Sequence, residues 1–295
     1  MRSSLRTSHF QYHIIAVEIN YPSQPGPIGV FDSGYGGLTI LREIRKALPQ
    51  YDYLYLGDNA RAPYGSRSFD IVYDFTREAV DELFRRGCHL VILACNTASA
   101  KALRTIQQHF LPISDPDRRV LGVIRPTVEI LGKVSKKRHI GLLATPGTVR
   151  SHSYRMEIQK IYPGMEITEQ ECPMWVPLVE TGEFNGDGAD YFVKKYIDQL
   201  LLADPEIDTL ILGCTHYPLL LPKIRQYTPG HIRILPQGEL VAESLKDYLR
   251  RHPSMAERCT SGGTVEYLTT ESPERFDPLA SLFMNTPIHS SRITL

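Results

Sequence analysis

The chain reads as an α/β protein with parallel sheets covered by helices on both faces, one such unit in each half. Three observations lead there. From Pro27 onward short apolar runs alternate with amphipathic stretches of helical period, the pattern of strand, crossover helix and parallel strand. Two of the runs end alike, LVILACNT at 90–97 and LILGCTHY at 210–217, each an apolar strand halted by a small residue and followed by a helix start. A length of 295 residues suffices for two domains of ordinary size, each with its own core.

In chain order, residues 1–26 lack the periodicity of the rest of the chain and end in the linker-like Tyr21-Pro22-Ser23-Gln24-Pro25-Gly26, so they are expected to be a mobile extension. Strands are expected at 28–31, 53–56, 90–94, 120–123, 140–144, 210–213, 232–235 and 263–268. Amphipathic helices are expected at 38–48, 71–84, 98–110 and 191–202, with another after Pro273. Turn formers at Asp115-Pro116-Asp117 and Pro236-Gln237-Gly238 mark two crossings between units. Residues 27–118 plus 237–285 would then form the first unit, 119–236 the second, and 286–295 a tail.

Composition narrows the function. Lys plus Arg and Asp plus Glu are equal at 33 each, so nothing advertises a nucleic acid or an anionic membrane as partner. An apolar content of 42% with 22% charged residues is that of a globular protein. No apolar stretch is long enough to span a bilayer, and 13–18 is too short for a signal core. A small-molecule ligand and a cytoplasmic setting are expected.

The chain has five cysteines, Cys88, Cys95, Cys172, Cys214 and Cys259. The odd number, chain length and lack of a secretory signal argue against a disulfide framework. No two have ligand spacing, and Cys214-Thr215-His216 is too tight for a finger-type pair, so no metal is expected. Cys88, Cys172 and Cys259 read as inert, buried residues. Cys95 and Cys214 differ. Each stands at a strand's carboxyl end and a helix N-terminus, where open sheets place ligands and helix amides favour thiolate.

Two loops share that edge, and a third carries further candidates. Asp32-Ser33-Gly34-Tyr35-Gly36-Gly37 follows the first strand. Thr39 stands where a dinucleotide fingerprint requires its third glycine, so that reading fails, although such a loop still cradles a carboxylate on its amides. Asp32 also fits a plain helix cap. The second loop, 57–66, contains Tyr64 and Gly65 and is rich in turn formers. In the third, 171–180, Trp175, Val176 and Leu178 are expected to pack, and Glu180 fits either a solvated helix position or the site.

One activated thiol with His216 as base would suit a hydrolase or amidase. Two thiols facing one crevice suit the inversion of a stereocentre, one removing a proton and the other delivering one to the opposite face. The segments 28–34, 62–65, 94–98, 176–180 and 212–218 together resemble those of bacterial glutamate racemases, over roughly residues 27–285.

The resemblance implies two pseudo-symmetric open α/β domains with the active site in the cleft between them. It implies cofactor-independent interconversion of L- and D-glutamate for peptidoglycan synthesis. Cys95 and Cys214 would be the acid/base pair, acting on D- and L-glutamate respectively. Asp32 and His216 would assist them, with Glu180 an auxiliary on the Cys214 side. Asp32-Ser33, Tyr64-Gly65, Asn96-Thr97, Thr148 and Thr215-His216 would bind substrate. Aspartate racemase is the alternative of like chemistry, and a homodimer is the expected assembly. Two departures stand out: Thr127 occupies a position where the family often has Gly, and 183–190 looks longer than expected.

Overall fold

In the computed structural model, which describes residues 21–295, the chain forms two parallel sheets. The strands are β1 (Ile28–Asp32), β2 (Tyr53–Gly57), β3 (Leu90–Leu93), β4 (Arg119–Gly122), β5 (His139–Ala144), β6 (Glu166–Glu171), β7 (Thr209–Gly213), β8 (Arg233–Leu235), β9 (Val265–Thr269) and β10 (Ser290–Arg292). The first sheet runs β10-β9-β2-β1-β3-β4 and the second β6-β5-β7-β8. Every pairing between these strands is parallel.

β1, β2, β3 and β7 are buried at every position, which is why they read as unbroken apolar runs. Helices cover the faces. Gly37–Ala47 packs its Leu38, Ile40, Leu41 and Ile44 stripe inward and lies against Gln237–Arg251. One apolar cluster contains Ile28 of the first sheet and Leu210 of the second, together with Trp175, so the two halves share a continuous core. Trp175 meets Tyr217 edge-on, ring centroids 4.6 Å apart.

Several expectations need revision. β4 pairs with β3 in the first sheet, although 119–122 fell in the expected second unit. The turn at Asp115-Pro116-Asp117 therefore ends a crossover helix within the first sheet. Turn residues punctuate any element boundary and do not distinguish a domain crossing from a local connection. Ser290–Arg292, within the expected tail, forms a strand that pairs with β9 of the first sheet.

Two strands were missed, β6 and β10. Both lie at sheet edges, and of β6 only Ile167 is buried, so neither carries an apolar run. Residues 1–20 of the expected extension lie outside the described residues. Residues 21–26 are tied down at their ends, with 22–25 exposed: Tyr21 donates to Asp81 at 2.5 Å, Arg118 donates to the Pro22 carbonyl at 2.6 Å, and Gly26 bridges to Cys259. Buried Arg118 also stacks over the Tyr21 ring at 4.8 Å, a long-range contact that no local pattern announces.

Candidate active site

The two cysteine turns occupy equivalent places in the two sheets. The orders β2-β1-β3-β4 and β6-β5-β7-β8 correspond strand for strand. In each the direction of winding reverses between the first strand and the third, at β1/β3 and β5/β7, and that reversal opens a crevice beyond the carboxyl ends. Cys95 lies just beyond β3 and Cys214 directly follows β7. Both line a single cavity of about 250 Å³.

Cys95 caps the helix Asn96–Lys101, its Sγ accepting the Ala98 N–H at 3.4 Å. Ser33 Oγ lies 3.4 Å from the same sulfur. Burial, then the charge of Asp32, push the Cys95 thiol up to about 12, against the pull of the Ser33 and Ala98 hydrogen bonds. The helix N-terminus alone would favour thiolate; desolvation outweighs it.

Cys214 Sγ stands 3.8 Å from His216 Nδ1, and His216 Nε2 stands 3.0 Å from Glu180 Oε1. Burial acts to neutralise this imidazole, but its hydrogen bonds to Cys214 and Glu180, with their charges, outweigh burial and raise it to about 10. The two faces of the cavity are thus electrostatically unlike. Cys95 has a carboxylate behind it, and Cys214 has an imidazole held towards its charged form.

Most of the expected residues converge. Ser33, Tyr64, Gly65 and Cys95 through Thr97 form one part of the lining, and Glu180 with Cys214 through His216 forms another. Asp32 and Thr148 do not line the cavity. Asp32, 1% exposed, accepts from Gly34 N–H at 2.9 Å and from Thr215 Oγ1 at 3.4 Å. Burial raises its carboxyl above the usual range, opposed by the His216 charge and by the amides of Gly34 and Gly37. Thr148 is fully buried behind Thr97 and Thr145, with its hydroxyl 3.4 Å and 3.1 Å from theirs.

The sequence pattern missed Thr145 and left Val176 and Cys172 as packing residues, yet all three line the cavity. Thr145 follows β5 as Ser33 follows β1, so the strand-end rule could have found it. It caps the helix Pro146–Arg150, accepting the Thr148 N–H at 3.3 Å. Cys172 is fully buried, and burial raises its thiol well above the ordinary value, which agrees with an unreactive sulfur. A larger cavity of about 750 Å³ holds neither Cys95 nor Cys214.

Loops of the two sheets interlock around the site. Gly147 N–H donates to the Gly65 carbonyl at 2.7 Å. Thr39 Oγ1 donates to the Thr215 carbonyl at 3.0 Å. Gly36 approaches so closely that a Cβ there would lie 2.1 Å from Thr215 Oγ1 and 2.5 Å from His216 Nδ1.

A parallel two-sheet fold with one strand-end thiol from each sheet facing a common small cavity defines an amino-acid racemase. The chain belongs to the Asp/Glu/Hydantoin racemase family, whose model matches residues 28–245. It is 41% identical over 271 residues to the glutamate racemase of Ruegeria pomeroyi, covering 88% of this chain and 97% of that protein. Its fold matches glutamate racemase from Francisella tularensis, solved in complex with D-glutamate, with a TM-score of 0.81 and 29% identity over 92% of this chain and 98% of that one. Aspartate racemase from Picrophilus torridus shares the fold alone, at 17% identity and a TM-score of 0.52 over 79% of this chain and 99% of that one.

Proposed function

We propose that this racemase interconverts L- and D-glutamate without a cofactor, by proton transfer between Cα and two cysteines, and that its D-glutamate feeds peptidoglycan synthesis. The observation that carries the reading is the presence of Cys95 and Cys214, from equivalent strand ends, in one amino-acid-sized cavity.

The thiolate on one face takes the Cα proton, and the electron pair remains as a carbanion conjugated with the carboxylate. The thiol on the other face then donates its proton to Cα, so the product is the enantiomer and the two sulfurs have exchanged protonation states. Cys214 acts on L-glutamate and Cys95 on D-glutamate. His216, held charged by Glu180, is the counter-charge for Cys214 Sγ. Asp32 assists Cys95 from behind the cavity wall as the acceptor of its proton, and it separately holds Thr215 beside Cys214. Ser33, Tyr64-Gly65, Asn96-Thr97 and Thr215-His216 bind the substrate, whereas Thr148 supports Thr97 and Thr145.

On the same reading the enzyme is a cytoplasmic homodimer. No helix among the described residues is long and apolar enough to cross a membrane, and light scattering with and without glutamate reads the assembly. Circular dichroism of L-glutamate incubated with purified protein and no added cofactor tests the activity. Ellipticity should decay to zero with L-glutamate and persist with L-aspartate. Unchanged ellipticity with L-glutamate from a folded sample would refute the proposal.

A further inference from the structure

Asn96, the residue after Cys95, is held by a closed ring of buried side chains that the mechanism above does not use. Its Nδ2 donates to Gln237 Oε1 at 2.6 Å, and its Oδ1 accepts from Tyr154 OH at 2.7 Å. Gln237 Nε2 in turn donates to Tyr154 OH at 2.6 Å and to Thr127 Oγ1 at 2.9 Å. All four residues are buried, none more than 3% exposed.

The direction of every bond in the ring is determined. The Val123 carbonyl can only accept, and it takes the Thr127 hydroxyl proton at 2.9 Å and faces Gln237 Nε2 at 3.4 Å. Thr127 Oγ1 can therefore only accept from Gln237, which sets the amide nitrogen of Gln237 on that side and its oxygen towards Asn96. Asn96 must then present Nδ2 to Gln237 and Oδ1 to Tyr154. The ring consumes one of the two Nδ2 hydrogens and leaves the other, and Asn96 lines the cavity beside Cys95.

We infer that Gln237, with Thr127 and Tyr154, is a positioning residue for the reaction: it holds the Asn96 amide so that an N–H, and not the amide oxygen, serves the substrate carboxylate. The inference rests on the proposed glutamate racemase activity. Thr127, which stands where the family often has Gly, acquires a role as the acceptor that orients Gln237. The four residues come from four separate helices, Asn96–Lys101, Ile124–Glu129, Ser153–Ile161 and Gln237–Arg251, so the ring also ties elements of both sheets to the residue next to the thiol. A satisfied network of this kind is directional in a way that apolar packing is not.

A hydrogen bond to the carboxylate conjugated with the carbanion strengthens as negative charge develops there, so its misplacement should lower kcat as well as raise KM. Gln237→Met keeps the volume and removes the ring. It should lower kcat/KM for both enantiomers about tenfold, as loss of one charge-assisted bond predicts. In an Asn96→Ala background the same substitution should leave kcat/KM unchanged, because there is no amide left to orient. If Gln237→Met does not fold, Tyr154→Phe removes one ring hydroxyl and carries the same pair of measurements. An unaltered kcat/KM in the single variant, or a fall that persists undiminished in the Asn96→Ala background, overturns the inference. The wild type assayed alongside separates the two levels: a wild type inactive on glutamate overturns the functional proposal and the inference with it, whereas an active wild type with uncoupled variants overturns the inference alone.

Discussion

Glu180 Oε1 and His216 Nε2 stand 3.0 Å apart, on the side of the imidazole away from Cys214. A carboxylate there keeps the ring charged, and a charged ring stabilises negative sulfur at its other nitrogen. Glu180→Gln retains a hydrogen-bond acceptor and removes the charge. Steady-state kcat/KM should fall about tenfold, consistent with the loss of one auxiliary group. It must fall equally in both directions, because the enantiomers have equal free energy. Cα deuterium wash-in under single-turnover conditions should show L-glutamate slowed more than D-glutamate. Asp32→Asn should show the opposite bias, because in the proposed reaction this buried carboxyl takes up the Cys95 proton, whereas its charge alone disfavours thiolate. Equal slowing of both half-exchanges by both variants would contradict one auxiliary per thiol.

Stability should follow the same imidazole. The His216 value is raised from an ordinary 6.5 to about 10. Its contribution is therefore fully present below about pH 6.5 and is lost as pH rises through about 10. In urea titrations, the wild type should exceed His216→Asn by more at pH 6 than at pH 10. A gap that widens with pH would contradict the assignment.

Gly36→Ala tests how the first sheet's loop shapes the second thiol's surroundings. The new methyl would fall 2.1 Å from Thr215 Oγ1 and 2.5 Å from His216 Nδ1, so those side chains must move. Activity should drop on the order of a hundredfold, since misplacement of about an ångström costs that much. Far-UV circular dichroism should be retained. Near-normal turnover would show that the Thr215–His216 geometry is not required.

Tyr64 donates to Asp58 Oδ2 at 2.5 Å, and burial followed by the Asp58 charge raises its phenol far above the usual value. Tyr64→Phe should destabilise the protein by about 1–3 kcal/mol, the cost of a lost bond to a buried charge. Arg61 and Thr270 continue to satisfy Asp58, which sets the upper end. Thermal unfolding measures it, and an unchanged midpoint would contradict the role given to this bond.

The parts legible in the sequence are those written locally. The apolar runs of β1, β3 and β7 and the turns after them are read from a few adjacent residues, and those runs carry Cys95 and Cys214. What escaped depends on distant partners. Gln237 meets Asn96 across 141 positions and shows no spacing or motif; as part of Pro236-Gln237-Gly238 it reads only as a turn. Thr127 registered as a departure, but its use needed the position of Gln237. β6 escaped because an edge strand facing solvent has no reason to be apolar. Asp32 is legible as a residue near the thiol, yet only the fold shows that it stands behind the cavity wall.

The central claim is that two thiols share one reaction, and the direct measurement is racemisation by Cys95→Ser and Cys214→Ser, assayed separately in both directions. A serine hydroxyl is a far poorer base at neutral pH, so each variant should lose on the order of a thousandfold or more in turnover while keeping the fold. Either single variant retaining near wild-type turnover with L- and D-glutamate would contradict the two-base account.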